Sequence, residues 1–416
     1  MKGNYPYAYF ANPNMNKPIE EIWADIDAFS MEVFHDEVKQ SSYIDFMIPL
    51  PPLGYEGKTT KGVFLSQGVD YIYQCYPDVN KIFVSCAYSM WSSYPWSKKA
   101  DAYCVCYDNP EREEWFRKTN PDRADKILLP LQDADFTNEY FMAPAWNTPK
   151  DIDVLCIARM SELKNLPTFA SAVKIYQQKY GKKLNCVLVT GSDCSADFEQ
   201  EELRKMREAL DGPIEDYMEI RHRVEYGDIP KLYSSAKLVV LPSLLEGKNR
   251  VIQEAMACNT AVVVFKDLNK YSRGRTPIFP GGPNGGGGLE VPVFDPECLA
   301  DTIHWGIINN AAFKPRRAYL KYNGRLNFIN KLIDSIPYFR ENLPEYTPGA
   351  IEKNRWVDLA MQDNYQLSFI DYLYGKNNTI QSFRVCQDNT YILNFYYSRF
   401  GVQPSIPYPD FTKLDP

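Results

Sequence analysis

Histidine is scarce in this chain: only His35, His222 and His304 occur among 416 residues. A metal site built on several imidazoles is therefore not expected. No CxxC pair is present, and the ten cysteines are scattered through apparent strands and helices. The one close pair is Cys104 and Cys106. This usage fits free thiols in a reducing cytoplasm and no metal ion. No stretch reaches the ~18–20 apolar residues that span a bilayer. The start, MKGNYPYAYFANPN, lacks the apolar core of a signal peptide. Positive charge is not in excess either: 46 Lys and Arg stand against 53 Asp and Glu, a net charge of −7. That balance argues against a nucleic-acid partner, which calls for a basic face. No GxGxxG follows an apparent strand, which counts against a nicotinamide-dependent dehydrogenase.

What is present is ample apolar material. Hydrophobic residues make up 45% and aromatics 14%, so the chain can bury a core and is not expected to be disordered. Its length exceeds what one growing core usually serves, so two domains are expected. Residues 1–80 give few signals beyond a helix near 17–38 and the apolar run FMIPLPP. From about residue 81 a strand-then-helix rhythm sets in: KIFVSCA, ADAYCVCY, the helical PEREEWFRK and KILLPL. The proline-bearing APAWNTPKD, with Pro144 and Pro149, resists helix and sheet and marks a domain boundary. After it the alternation is regular. DIDVLCIAR, LNCVLVTG, YMEIRHRVEYG, KLVVLPS, TAVVVFKD and LEVPV read as strands. Between them NLPTFASAVKIYQQKY, DFEQEELRKMREAL, DIPKLYSSA and NRVIQEAMAC read as helices, and ECLADTIHWGIINN follows as another. In the first of these, Leu166, Phe169, Val173, Tyr176 and Tyr180 recur at helical spacing. Asp228 is the expected N-cap of DIPKLYSSA, with Pro230 in its first turn. The expected class is α/β, doubly wound, with ligands at the carboxyl ends of the strands.

Chemistry concentrates in Leu241 to Cys258, LPSLLEGKNRVIQEAMAC. A buried strand ends at Pro242-Ser243, a turn carries Glu246 and Gly247, and a helix starts near Asn249. The free N–H groups of that helix start form an anion site, with a charge contact worth roughly 0.3–2 kcal/mol. Glu246 at its mouth and Glu254 in the second turn suit a ligand with a phosphate and several hydroxyls. Arg159 ends the first strand after the boundary, and Lys164 lies near the start of the next helix. Both face the same sheet edge, where a fixed cation pair can stabilise a diphosphate leaving group without metal.

These residues, in this order, resemble the retaining glycosyltransferases of family GT4, which have the GT-B fold. The resemblance is carried by Arg159, Lys164-Asn165 and Gly191, then Ile229-Pro230-Lys231-Leu232-Tyr233 and Pro242-Ser243. It continues through Glu246 and Glu254 at Glu-x7-Glu spacing, Glu254-Ala255-Met256-Ala257-Cys258, and GGLEVPVFDPECLADTI. The resemblance implies an α/β GT-B architecture of two Rossmann-like domains facing each other across a cleft. Residues 1–148 would bind the acceptor and 149–374 the nucleotide sugar, with the tail 375–416 packing back on the first domain. Arg159 and Lys164 would bind the diphosphate and Glu246 the hydroxyls of the donor sugar, these three forming the catalytic set. Gly191, Gly247 and the backbone of Lys248, Asn249, Arg250 and Val251 would border the sugar and phosphate. Glu254 would hold the ribose, and Arg223 and Val224 would border the base. The implied activity is transfer of a hexose, glucose first, from a UDP-sugar to a glycan or lipid-linked acceptor in polysaccharide biosynthesis. The configuration would be retained, with no cofactor and no metal. The implied location is the cytoplasm, with peripheral association at the inner membrane face allowed for. The sequence departs from the family pattern in three places. The Gly-rich loop near the N-terminus is absent or remodelled, since MKGNYPYAYFANPN has one glycine. The segment VSCAYSMW offers Ser85 and Tyr88 where members carry a histidine. Glu-Gly-Lys-Asn-Arg replaces Glu-Gly-Phe-Gly-Leu. A degenerate nucleotide-sugar-binding protein and another GT-B enzyme, such as a UDP-sugar epimerase, are the alternative readings.

Other conspicuous features have structural explanations. The run GGPNGGGG, residues 281–288, reads as a loop. Trp91, Tyr94 and Trp96 read as packing residues, His222 as structural, and Phe395, Tyr396, Tyr397 and Phe400 as a packed helix face.

Overall fold

The computed structural model describes Glu21 and residues 47–342, apart from 51–52, 56–57, 67–68, 71–72, 74–79, 81–82, 89–96, 106–109, 132, 138, 140, 192–195, 245, 247–248 and 267–285. Several sequence expectations therefore lie outside the described residues. They concern all of the 17–38 helix but Glu21, His35, Trp91, Tyr94, Trp96, Cys106, Gly247, Lys248, most of the glycine run and the tail 375–416. The described chain forms two compact units. It passes between them at Phe136–Thr137 and again at Gly324–Arg325.

The first unit is built on β1 (Met47–Leu50), β4 (Gly62–Ser66), β5 (Phe83–Tyr88), β6 (Ala102–Cys104) and β7 (Ile127–Leu129). These strands lie in that order in one sheet, with a separate two-stranded ribbon of β2 (Leu53–Tyr55) and β3 (Lys58–Thr60). Strands β4 to β7 run parallel and β1 antiparallel. Every residue of β4 is buried, as a parallel strand covered on both faces requires. Helix α1 (Pro110–Thr119) turns Phe116 inward against Tyr103, ring centroids 6.0 Å apart. Its acidic residues sit in the first turn and its basic residues in the last, matching the helix dipole.

The second unit holds β8 (Ile152–Ile157), α2 (Leu166–Tyr180), β9 (Cys186–Val189), α3 (Ala196–Leu210), β10 (Glu219–Arg221), α4 (Ile229–Ser235), β11 (Ala236–Leu241), α5 (Arg250–Ala257), β12 (Ala261–Phe265), β13 (Gly288–Val291), α6 (Pro296–Ile308) and α7 (Pro315–Tyr322). All six strands are parallel, in the order β10-β9-β8-β11-β12-β13. This is the doubly wound order, and its direction reverses between β8 and β11. Side chains alternate between two cores along each strand. Leu238, Val240, Ala261 and Val263 join α2, α3 and α6 on one face. Val239, Leu241, Val262 and Val264 join α4, α5 and α7 on the other. The helical spacing read in α2 holds, with Leu166, Phe169, Val173 and Tyr176 buried. Two more helices, α8 (Arg325–Ser335) and α9 (Pro337–Asn342), return to the first unit, where the Tyr338 hydroxyl accepts from the Lys61 N–H at 3.0 Å. Both units are thus α/β, the second with an all-parallel sheet and the first with a mostly parallel one, the Rossmann-like class expected of GT-B.

One local expectation needs correction. Asp228 occupies the N-cap position of α4, but its side chain makes no capping hydrogen bond. A 3-10 turn, Tyr226–Asp228, runs directly into the helix, so Asp228 already has helical backbone angles and cannot cap in the usual way. Asp295 does cap α6, accepting from the Cys298 N–H at 2.8 Å.

Gly306 lets α6 lie close to the sheet. A Cβ there would stand 2.9 Å from Leu238 Cδ1 and 3.1 Å from Leu289 Cδ1. Leu238 is fully buried, so its methyl groups can shift only against their core neighbours. We expect Gly306→Ala to destabilise by about 1–3 kcal/mol through overpacking, despite alanine's better helix propensity. Denaturant unfolding measures this, and a gain in stability would show that α6 can shift.

Candidate functional site

In a sheet of this order ligands bind beyond the carboxyl ends of the two strands where the order reverses, here β8 and β11. The sequence places its polar residues there. After β8 the chain makes a 3-10 turn, Glu162–Lys164, and then takes a left-handed residue, Asn165, at φ 50°. Asparagine tolerates this conformation better than most residues. Its side-chain amide donates to the Pro242 carbonyl at 3.1 Å, and its Oδ1 accepts from the Thr168 hydroxyl at 2.7 Å. The Leu244 N–H donates to the Leu163 carbonyl at 2.8 Å. The turn after β8 and the turn after β11 are thereby stitched together on both sides of Ser243.

That stitching brings Lys164 and Glu246 into contact. Their side chains form an ion pair, 14% and 11% exposed. The pair is partly shielded from water, so its mutual attraction exceeds that of a surface pair. Arg159 follows β8 and is exposed. A Cβ at Gly191, which follows β9, would meet Arg159 Cγ at 3.8 Å, so the arginine stem lies over that glycine. Asn249 caps α5, its Oδ1 accepting from the Val251 N–H at 2.8 Å. Arg250 opens the helix. Arg223 and Val224 stand beyond β10, two strands from β8, a span of about 10 Å at ordinary strand spacing. Arg223 is exposed and loosely paired with Glu225 at 3.9 Å.

Glu254 is the most deeply placed charge of the set, only 8% exposed. The Tyr233 hydroxyl donates to its Oε2 at 3.0 Å. Burial raises its carboxyl above the usual carboxylate range, while the Arg250 charge and the Tyr233 hydrogen bond pull it back down. Beside it, Gln253 and Ser243 are fully buried. Neither the Gln253 amide atoms nor Ser243 Oγ have a hydrogen-bond partner among the described residues. The sequence reading gave no role to Asn165, Tyr233, Ser243 or Gln253. Asn165, Tyr233 and Ser243 were visible as parts of the motifs. Nothing in the pattern marked Gln253, a polar residue on an otherwise apolar helix stripe.

In the first unit, Ser85 is buried in a local network. It accepts from the Tyr73 hydroxyl at 2.9 Å and donates to Asp101 Oδ2 at 2.9 Å. This joins β5 to the start of β6 and leaves Ser85 in a structural part. His222 is exposed, with Nδ1 3.2 Å from a Glu199 carboxylate oxygen.

With this geometry in place, comparison with known proteins is informative. Residues 151–307 match the family described as Glycosyl transferases group 1. The matched segment runs from β8 nearly to the end of α6 and contains every site residue discussed above. No curated protein matches the chain. Among solved structures, sucrose-phosphate synthase from Thermosynechococcus elongatus aligns at 18% identity over 64% of this chain and 69% of that one, with a TM-score of 0.45. S. aureus TarM, in complex with fondaparinux, α-GlcNAc-glycerol and UDP, aligns at 17% identity over 64% of this chain and 52% of its own, with a TM-score of 0.44. The C-terminal domain of the group 1 family protein LpcC from Francisella tularensis aligns at 21% identity over 45% of this chain and 96% of its own, with a TM-score of 0.35. This chain thus spans about half the length of TarM.

Two tests follow from the buried polar groups. The Glu254 carboxyl titrates higher in the folded chain than in the unfolded one, so its neutral form favours folding. Wild-type stability should fall as pH rises through that raised pKa, and Glu254→Gln should lack this fall. Unfolding free energy measured against pH checks this; parallel curves would mean that Glu254 is not desolvated. Gln253→Leu removes two unpaired polar atoms at nearly constant volume. We expect it to be neutral or stabilising, by up to about 1–3 kcal/mol, in the same assay.

Proposed function

We propose that this chain transfers a hexosyl group from a nucleoside-diphosphate sugar to a hydroxyl of a glycan or lipid-linked acceptor, with retention of configuration. UDP-glucose is the first-choice donor and polysaccharide assembly the setting. The observation that carries the reading is the Lys164–Glu246 ion pair, which joins the turns after β8 and β11 at the strand-order reversal. The group 1 family match over the same residues supports it.

In this reading the donor's diphosphate lies between Arg159, Lys164 and the first turn of α5. As the bond from the sugar's anomeric carbon to the diphosphate oxygen breaks, negative charge grows on the leaving group. The two cations and the helix dipole stabilise that charge. Positive charge grows on the sugar, and the Glu246 carboxylate holds its hydroxyls. Glu246 also restrains Lys164, so the cation is positioned before the donor arrives. Glu254 accepts from the ribose hydroxyls, and Arg223 and Val224 border the base. No enzyme nucleophile is assigned. The acceptor hydroxyl attacks from the face the diphosphate leaves, and its proton departs with the diphosphate. The cations of the chain do the electrophilic work, so the reaction needs no metal ion. Among the described residues no helix is long and apolar enough to cross a membrane. A lipid-linked acceptor would be met from the cytoplasmic side.

Release of UDP from a panel of nucleotide sugars, with EDTA present, tests the reading. Slow hydrolysis of one donor should persist in EDTA and fall about 10²-fold or more in Lys164→Ala. With an acceptor glycan, NMR of the product should show the donor's anomeric configuration. Absence of binding to every nucleotide tried would overturn the proposal.

A further inference from the structure

Glu254 needs to be charged and correctly turned to hold a diol, yet it stands in a buried place that opposes its charge. Against it lies the phenol of Tyr233. Tyr233 is completely buried near the end of α4, and its hydroxyl reaches Glu254 Oε2 at 3.0 Å. The phenol is itself fixed at both ends. Its ring packs in the core shared by α4, α5 and α7. Its backbone carbonyl accepts from the Thr260 hydroxyl at 2.6 Å, tying α4 to the residue before β12. A tyrosine held this firmly has one free choice, the direction of its O–H, and a carboxylate oxygen is where it points.

We propose that Tyr233 is a positioning residue of the donor site: by donating to Oε2 it holds Glu254 as an oriented carboxylate and leaves Oε1 to accept from a vicinal diol of the donor nucleotide. This rests on the donor-site reading given above. The chemistry is specific. Phenylalanine would fill the same space and keep the packing, but Oε2 would lose its donor. An uncompensated buried carboxylate then takes up a proton more readily, and a neutral carboxyl accepts poorly from two hydroxyls.

The surrounding charges are few. Arg250 acts from the same helix and favours the ionised form. Cys258, one turn on, has its thiol raised to about 12, chiefly by burial and next by Glu254 itself. Arg316 from α7 and Lys150 act on that thiol and pull it the other way. Tyr226 faces Tyr233 from the turn before α4. Of these groups, Tyr233 alone among the described residues donates a hydrogen bond to the Glu254 side chain.

The experiment is calorimetric binding of UDP, GDP and ADP to the full chain, from mildly acidic to mildly alkaline pH. Wild type, Tyr233→Phe and Glu254→Gln are compared, with thermal unfolding of each as a check on folding. The expected result for Tyr233→Phe is affinity weaker by about three- to tenfold near neutral pH. Its acid limb should be displaced to higher pH, and the loss should narrow at the alkaline end. Glu254→Gln should bind weakly at every pH and show no such limb. If Tyr233→Phe follows the wild-type curve while Glu254→Gln is weak, Tyr233 only packs, and this inference falls while the transferase reading stands. If Glu254→Gln binds as wild type does, Glu254 is no diol acceptor, and the inference falls again. If wild type binds none of the three nucleotides, the inference falls together with the donor-site reading.

Discussion

The site depends on the joining of two strand-end turns. β8 and β11 are sheet neighbours, but the chain leaves them for helices on opposite faces, and ligands of such sheets bind at that divide. Two hydrogen bonds, Leu244 N–H to Leu163 and the Asn165 amide to Pro242, cross that divide. Each is worth only about 0.5–1.5 kcal/mol net. Their value is geometric. They set the height of the 3-10 turn that ends in Lys164 against the segment that carries Glu246. The ion pair then forms between groups that need little further ordering, and the α5 N-terminus lies a few residues downstream.

Around this joint the second unit gives up stability. Its sheet is apolar and closely packed, with six parallel strands between two helix layers. The segment 243–254, by contrast, holds a buried carboxyl, and a buried amide and a buried hydroxyl that have no partner among the described residues. Local rules are broken in this way most often where a ligand is handled. The contrast with Ser85 is instructive. It too is a buried serine near the middle of a sheet, yet its hydroxyl is fully engaged with Tyr73 and Asp101. Ser85 is satisfied within its own sheet, whereas Ser243 and Gln253 have no hydrogen-bond partner among the described residues.

Much of this was legible beforehand. The strands of the second unit are continuous apolar runs and its helices have regular stripes, so both periodicities were clear. The alternation alone predicted a doubly wound sheet with its ligands at the carboxyl edge, and Arg159 and Lys164 do follow β8 and Glu246 does follow β11 in the chain. What stayed hidden was tertiary. Nothing local in YSSAK shows that Tyr233 reaches a carboxylate 21 residues later. Asn165 read as part of a Lys-Asn pair, whereas its left-handed backbone and its bond to Pro242 depend on a strand more than 70 residues away. Asp228 shows the opposite failing: a good cap residue in a good place, overridden by the 3-10 turn that precedes the helix.

The cysteines carry a different consequence. Cys86 and Cys104 are buried in the first unit, and Cys156, Cys186 and Cys258 in the second. Burial raises the Cys156 and Cys258 thiols to about 12, so in the closed chain they present almost no thiolate. Such a thiol reacts only when its surroundings open, and the reaction rate then reports the free energy of that opening. The chain therefore carries its own set of reporters, divided between the two units. Each unit can be timed separately, without adding a label to either.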